Sequence, residues 1–172
     1  MKKILKIVLG IIGVVAVIFL ATGLIVKETT YEVSTTIDKP IEQVFTAFND
    51  HTKLQEWIPN IKSFDPIDEK ERKVGSTYKM IVDEKGKNFE MKETIIEYVK
   101  NEKIGLEFDA QGMFKTDAIT FVSEGNKTII TNRSICKGTT YLLKCTFPYF
   151  KSMFKSTDQT YLENFKAFVE KQ

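Results

Sequence analysis

The sequence predicts an α+β fold, in which a curved antiparallel sheet of about six or seven strands packs around one long C-terminal helix and is preceded by one transmembrane helix. Three observations predict it. Residues 7–26 are uncharged and mostly apolar, apolar and polar positions alternate in the segments that follow, and aromatic side chains recur at helical spacing near the C-terminus. We therefore expect a transmembrane anchor over residues 1–28 and a globular domain over residues 29–172.

The apolar run at residues 7–26 is long enough to cross a bilayer, because an α-helix of that length spans about 30 Å. Lysines at positions 2, 3 and 6 precede it, so we expect a single-pass protein of the cell membrane, with the N-terminus in the cytoplasm and the domain outside. The alternative is a signal peptide cleaved after Gly23. Leu24–Val26 continue the apolar run beyond that position, which favours an uncleaved anchor.

The middle of the chain reads as strand, two helices and then further strands. Thr29–Ile37 alternates like a half-buried strand, Pro40 is typical of the first turn of a helix, and Thr52–Trp57 is a short second helix. Turn residues then separate about six alternating segments, which predicts consecutive antiparallel hairpins. The predicted strands lie within Ile61–Ile67, Tyr78–Val82, Phe89–Val99, Ile104–Ala110, Lys115–Ser123 and Lys127–Lys137.

The C-terminal segment Thr146–Gln172 predicts a helix of roughly 23 residues, about 34 Å long, that starts near Pro148. Its apolar face carries aromatic residues at spacings of three, four or seven: Phe147, Phe150, Phe154, Tyr161, Phe165 and Phe168. Such a stripe is typical of a hydrophobic core, and the same rings are also suited to line a ligand cavity. The helix alone leaves both interpretations open.

Charge and composition exclude several classes of function. The formal net charge is +2, but residues 1–28 hold four lysines and one glutamate, so the remainder has 21 basic and 22 acidic residues. A domain without excess positive charge is not a nucleic-acid binder. Two cysteines and the single histidine, His51, are too few for a Cys/His metal site, and we expect no metal and no cofactor. A disulfide between Cys136 and Cys145 stays open.

A family resemblance is carried by Val33–Pro59. There a strand leads into I-D-K-P-I-E-Q-V-F, and W-I-P follows some ten residues later. A glycine turn at Val74–Tyr78 adds to the pattern, which resembles the SRPBCC superfamily: polyketide cyclase/dehydrase-like proteins, START domains and Bet v 1-like proteins. The resemblance implies a helix-grip fold with a deep cavity between sheet and terminal helix that binds lipids, sterols, polyketides or other apolar molecules. It transfers no catalytic residue, because the superfamily shares none.

Six residues are our candidates for contact with an apolar ligand in that cavity: Trp57, Phe108, Arg133, Phe150, Phe154 and Tyr161. Arg133 is the expected buried polar anchor, and Glu107, Asp109 and Asp117 on neighbouring strands are its possible carboxylate partners. The alternation around Glu107 and Asp109, however, favours the solvent face. His51 beside Asp50 is either an acid–base pair or a solvated residue at a helix end.

The leading functional interpretation is a membrane-anchored binding module, not an enzyme, for a lipid-like or other apolar small molecule, because no convincing catalytic constellation is visible. The alternative is a cyclase/dehydrase-type enzyme acting on an apolar substrate in the same cavity. A third possibility is an interaction role for the outer face of the sheet. Gly138–Lys155 interleaves lysines with aromatic residues, so it either docks on lipid and frames the cavity mouth or buries its rings under the sheet.

Overall fold

The computed structural model describes residues 2–172. The first half of this part contains α1 (Lys2–Ile25), β1 (Thr29–Ile37), α2 (Ile41–Phe48), a 3₁₀ turn (His51–Lys53), α3 (Leu54–Trp57), β2 (Ile61–Asp68) and β3 (Thr77–Glu84). The second half contains β4 (Lys87–Val99), β5 (Lys103–Ala110), β6 (Met113–Glu124), β7 (Lys127–Gly138), α4 (Tyr141–Thr146), a 3₁₀ turn (Phe147–Phe150) and α5 (Lys151–Glu170). This element order confirms the predicted α+β fold.

The seven strands form one antiparallel sheet in the order β1-β7-β6-β5-β4-β3-β2. Strands β2 to β7 are joined by consecutive hairpins, and β1 closes the far edge by pairing with β7 from Thr29 opposite Cys136 to Ile37 opposite Thr128. The sheet curves around α5 and gives the helix-grip architecture that the sequence predicts.

Helix α5 packs its apolar stripe against the inner face of the sheet. Leu162, Phe165 and Val169 are buried, and the Phe165 ring lies 5.0 Å from the Trp57 ring and 5.3 Å from the Phe48 ring, centroid to centroid. Edge-to-face contacts of this kind are favourable between aromatic rings. The short helices α2 and α3 therefore close one end of the grip.

The predicted start of this helix near Pro148 is wrong. Residues 147–150 form a 3₁₀ turn, and α5 begins at Lys151. Because a 3₁₀ helix has 3.0 residues per turn, the α-helical phase does not continue through this turn. Phe150 consequently faces outward and is 43% exposed.

Helix α1 is apolar, exposed along most of its length, and long enough to cross a membrane. Its C-terminal end touches the domain at α4 and the following 3₁₀ turn. Thr22 Oγ1 and Tyr149 Oη lie 2.8 Å apart, and the rings of Phe19 and Tyr149 stack at 6.1 Å. Gly23 is buried there, so the C-terminal end of α1 packs against the domain.

Candidate functional site

A cavity of about 530 Å³ lies between the sheet and α5. Its wall is mostly apolar, with Met80, Ile95 and Ile119 from the sheet and Trp57, Phe154 and Leu162 from the helices. Pockets for small molecules have about this size and character, with a few polar groups that set orientation. The sequence builds this wall by alternation along each strand and by the inward stripe of α5.

Four of the six predicted ligand-contact residues line the cavity: Trp57, Phe108, Phe154 and Tyr161. Tyr161 donates a hydrogen bond to Asn60 Oδ1 at 2.9 Å, which fixes the position of its ring in the wall. Phe150 does not line the cavity, because the 3₁₀ turn rotates it away from α5's inner face.

The prediction that Arg133 lines the cavity is also wrong. On β7, Asn132 and Cys136 line the cavity, so the odd-numbered Arg133 points to the opposite face and is exposed. Glu107 and Asp109 on β5 are exposed as well, in agreement with the alternation in the sequence.

Asp117 is the one predicted carboxylate that reaches the cavity, and its partner is Lys115. Lys115 Nζ lies 3.0 Å from Asp117 Oδ2 and 2.7 Å from Asp158 Oδ2. Asp158, on α5, also accepts hydrogen bonds from Tyr31 at 2.8 Å and from Ser134 at 3.2 Å. A charged cluster therefore ties β1, β6 and β7 to α5 inside the cavity.

The cluster sets the protonation of Lys115 and Tyr31. Burial lowers the pKa of Lys115, but the carboxylates of Asp117 and Asp158 more than offset this, and the pKa lies well above its ordinary value. Burial also raises the pKa of the Tyr31 hydroxyl, and the nearby Lys115 opposes that rise only in part. Lys115 is consequently a cation and Tyr31 a neutral hydrogen-bond donor.

Glu93 on β4 is a second buried carboxyl in the cavity wall, only 6% exposed. Burial, followed by the negative charge of Asp117, raises the pKa of Glu93 to about 8. Two acceptor atoms of the wall, Asp117 Oδ1 and Asn132 Oδ1, are buried and have no hydrogen-bond partner among residues 2–172. Glu93, Lys115 and Asp158 were not predicted as cavity residues, although Lys115 lies two residues before Asp117 on β6 and therefore faces the same side of the sheet.

His51 and Asp50 do not form the acid–base pair that the sequence left open. Asp50 Oδ1 instead accepts from the backbone N–H of Thr52 at 3.1 Å and from its hydroxyl at 2.6 Å. The His51 ring packs on Phe64 and Tyr78, and burial, with a smaller effect of Lys73, lowers its pKa. His51 is thus a neutral part of the cavity wall.

The two cysteines are free and lie in different places. Cys136 borders the cavity, with its Sγ 3.8 Å from Tyr31 Oη, whereas Cys145 lies beneath the end of α1. The disulfide considered from the sequence does not form. Within residues 2–172, no group of three or more His, Cys, Asp or Glu side chains is placed to hold a metal ion.

Three lining residues are exposed to solvent and mark the mouth of the cavity: Glu84, Met153 and Thr157. Glu84 ends β3, while Met153 and Thr157 lie in the first two turns of α5. The opening is thus between the β3–β4 hairpin and the start of the C-terminal helix.

This mouth is at the same end of the domain as α1. Thr29, which follows Ile25 of α1 by four residues, pairs with Cys136, and two residues later Gly138 pairs with Met113. Met113 lines the cavity near the β5–β6 turn. A single end of the sheet therefore holds both the attachment of α1 and the cavity opening.

Comparison with known proteins agrees with this geometry. The sequence profile of the family described as Activator of Hsp90 ATPase homolog 1-like protein matches residues 38–170. No curated protein matches the chain. Among solved structures, a START superfamily protein from Mycobacterium smegmatis is 13% identical with a TM-score of 0.70, over 83% of this chain and 97% of that chain.

Two further structures share the fold. The protein Ara h 8.0201 is 13% identical with a TM-score of 0.68, over 84% of this chain and 99% of that chain. The di-domain ARO/CYC StfQ from the steffimycin biosynthetic pathway is 14% identical with a TM-score of 0.68, over 84% of this chain and 51% of that chain. The chain thus belongs to the Activator of Hsp90 ATPase homolog 1-like family, within the SRPBCC superfamily.

Proposed function

We propose that this protein is a membrane-anchored binding module that holds a lipid-like or other apolar small molecule between the sheet and α5. The observation that carries the proposal is the cavity of about 530 Å³, whose wall is mostly apolar and whose mouth is open. A pocket of this kind buries most of a small ligand's surface, and burial of apolar surface drives binding.

The seating of α1 on α4 supports an uncleaved anchor. Cys145 Sγ lies 3.7 Å from the carbonyl oxygen of Leu20, and Gly23 packs against the same cysteine. Cleavage after Gly23 would remove both contacts and uncover Cys145. The lysines before the apolar run favour a topology with the N-terminus in the cytoplasm and the domain outside.

An epitope tag at Gln172 tests this orientation. In intact cells the tag should be accessible to antibody and to added protease. Protection that disappears only when the cells are lysed would reverse the topology.

The surface beside α1 is suited to contact lipid. Five large apolar side chains are exposed within residues 141–153: Tyr141, Leu142, Tyr149, Phe150 and Met153. Lys144, Lys151 and Lys155 are exposed among them. Aromatic rings and lysines favour the head-group region of a bilayer. Because Met153 also belongs to the cavity mouth, an apolar molecule would pass between bilayer and cavity without crossing water.

Mass spectrometry of small molecules that co-purify with the full-length chain tests the binding function. Thr157→Trp places a bulky ring at the mouth, and Thr160→Trp places the same ring at an exposed position of α5 that does not line the cavity. We expect an apolar molecule to co-purify with the wild type and with Thr160→Trp, and to be depleted from Thr157→Trp. Equal recovery from all three proteins would contradict the proposal.

The buried cluster of Lys115, Asp117 and Asp158 favours one alternative, a cyclase/dehydrase-type enzyme that acts on an apolar substrate in the same cavity. The SRPBCC superfamily contains both binding proteins and cyclase-like proteins. Incubation of the recovered molecule with fresh protein separates the two functions. Conversion that Lys115→Met abolishes would favour the enzyme, and recovery of an unchanged molecule favours the binding module.

A further inference from the structure

The charged groups that face the cavity are unbalanced. Asp117 and Asp158 contact one cation, Lys115, and a further carboxylate, Glu84, lies at the mouth. With Lys115 charged and His51 neutral, the interior holds no second positive group among residues 2–172. The interior therefore carries a net negative charge.

Lys115 has little to offer a negatively charged ligand. Its ammonium contacts two carboxylates at 3.0 and 2.7 Å and lies 5.7 Å from the centre of the Phe108 ring. An anionic head group in this position would have to compete with Asp117 and Asp158 for the same nitrogen, and like charges in a buried site repel strongly.

Three buried side-chain atoms of the wall lack a hydrogen-bond partner within residues 2–172: two are acceptors, and the third, Trp57 Nε1, is a donor. Asp117 is 5% exposed and its Oδ1 atom has no partner within residues 2–172, and neither does the buried Asn132 Oδ1. Both residues line the cavity. A buried acceptor without a donor is unfavourable, so a ligand that donates to these atoms gains that free energy on binding.

From this arrangement we infer that the bound molecule has an apolar body and a polar end that donates hydrogen bonds and carries no negative charge, namely an amine or a hydroxyl group, and that Asp117 receives it. This inference rests on the proposed binding function and adds the chemical class of the ligand. Fatty acids and other amphipaths with an anionic end are excluded from the site.

Glu93 adds a property that distinguishes the amine from the hydroxyl. Near neutral pH this buried carboxyl is mostly protonated, since its pKa is about 8. An ammonium group bound at Asp117 would stabilise the ionised form of Glu93 and release a proton. A hydroxyl group would leave Glu93 protonated.

The test uses the full-length chain in lipid nanodiscs and three amphipaths with the same alkyl body: dodecylamine, dodecanol and dodecanoate. Trp57 is the only tryptophan and lines the cavity, so its fluorescence reports occupancy. We expect dodecylamine and dodecanol to bind at least about tenfold more tightly than dodecanoate. The first two can donate a charge-assisted hydrogen bond to Asp117, whereas the carboxylate of dodecanoate is repelled by it. Proton release on binding should accompany dodecylamine alone.

Asp117→Asn and Asp109→Asn form a matched pair of variants, because both remove a carboxylate from a strand and only Asp117 faces the cavity. We expect Asp117→Asn to weaken dodecylamine about tenfold and to affect dodecanol little. Asp109→Asn should bind all three amphipaths as the wild type does.

The outcomes separate the inference from the function on which it rests. If dodecanoate binds as tightly as dodecylamine, the inference that the polar end donates hydrogen bonds is overturned, and the proposed binding of an apolar molecule still stands. If none of the three amphipaths changes Trp57 fluorescence in the wild type, both fail. The comparison of head groups on the wild type decides the inference even if Asp117→Asn does not fold.

Discussion

Gly23 of α1 and Cys145 of α4 are in such close contact that a Cβ atom at Gly23 would lie 2.5 Å from Cys145 Sγ. No side chain fits at that distance unless Cys145 or one of the two helices moves. Glycine at this position therefore allows the apolar helix to seat directly on the domain.

Gly23→Leu should lift α1 from α4 and expose Cys145, which is fully buried. In a Cys136→Ser background, a small maleimide should label Cys145 much faster in this variant than in its parent. Gly13→Leu is the matched control, because a Cβ at Gly13 meets nothing within 4 Å. Unchanged labelling in Gly23→Leu would show that the two helices do not touch.

Phe165→Ala should unfold the domain or bring it close to unfolding. The ring is fully buried between Trp57 and Phe48, and removal of a buried phenylalanine costs about 3–5 kcal/mol. Thermal unfolding followed by circular dichroism should show a large fall in Tm. The exposed Phe150 provides the control, since Phe150→Ala should change the free energy of unfolding by about 0.5 kcal/mol or less.

Glu93→Gln should stabilise the protein increasingly as the pH rises. Between the ordinary value of 4.5 and the folded pKa of about 8, the folded wild type keeps a proton that the unfolded chain has released. Wild-type stability contributed by this group therefore falls with rising pH, by at most about 1.4 kcal/mol per pH unit, while glutamine does not titrate.

The Tm difference between Glu93→Gln and wild type, measured from acid to alkaline pH, checks this sign. Lys115, Asp117 and Asp158 face the same site and are present in both proteins. Glu107→Gln, on the exposed face of β5, is the matched control. If the Tm of Glu93→Gln relative to wild type falls as the pH rises, the raised pKa of Glu93 is contradicted.

Leu142 should lie at the depth of the lipid head groups or below. In a Trp57→Phe background, a tryptophan at position 142 should be quenched by brominated phospholipids in nanodiscs. Val122 is similarly exposed but lies near the opposite end of β6, so Val122→Trp should not be quenched. Equal quenching at the two positions, or no quenching at either, would contradict the docking of residues 141–153 on lipid.

The fold was largely predictable, because strand alternation and the aromatic stripe of α5 are local patterns. Helix α4 was not predicted, since Tyr141–Thr146 is too short to show a helical period. Tertiary contacts stabilise it: Thr140 caps its N-terminus by accepting from the Leu143 N–H at 3.3 Å, and α1 covers Cys145. The 3₁₀ turn after α4 also explains the wrong placement of Phe150.

The cavity wall was predictable and its charged cluster was not. Large aromatic residues such as Trp57 and Phe154 are usually buried, so their position could be predicted from residue type. A lysine or an aspartate, such as Lys115 or Asp158, is usually exposed to solvent. These groups are buried because they pair across β6 and α5, which are distant in sequence. Arg133 was misplaced because successive residues of a strand face opposite sides of the sheet, so an error of one residue moves a side chain from the cavity to the solvent.

The pairing of β1 with β7 has a consequence for the order in which the protein folds. Strand β1 leaves the ribosome directly after α1, but its neighbour in the sheet, β7, ends at Gly138. Strands β2 to β7 must be synthesised before this edge closes, and α5, which completes the cavity, follows them. Early in synthesis β1 therefore presents an unpaired edge beside the apolar helix, a state that is prone to aggregation when it persists.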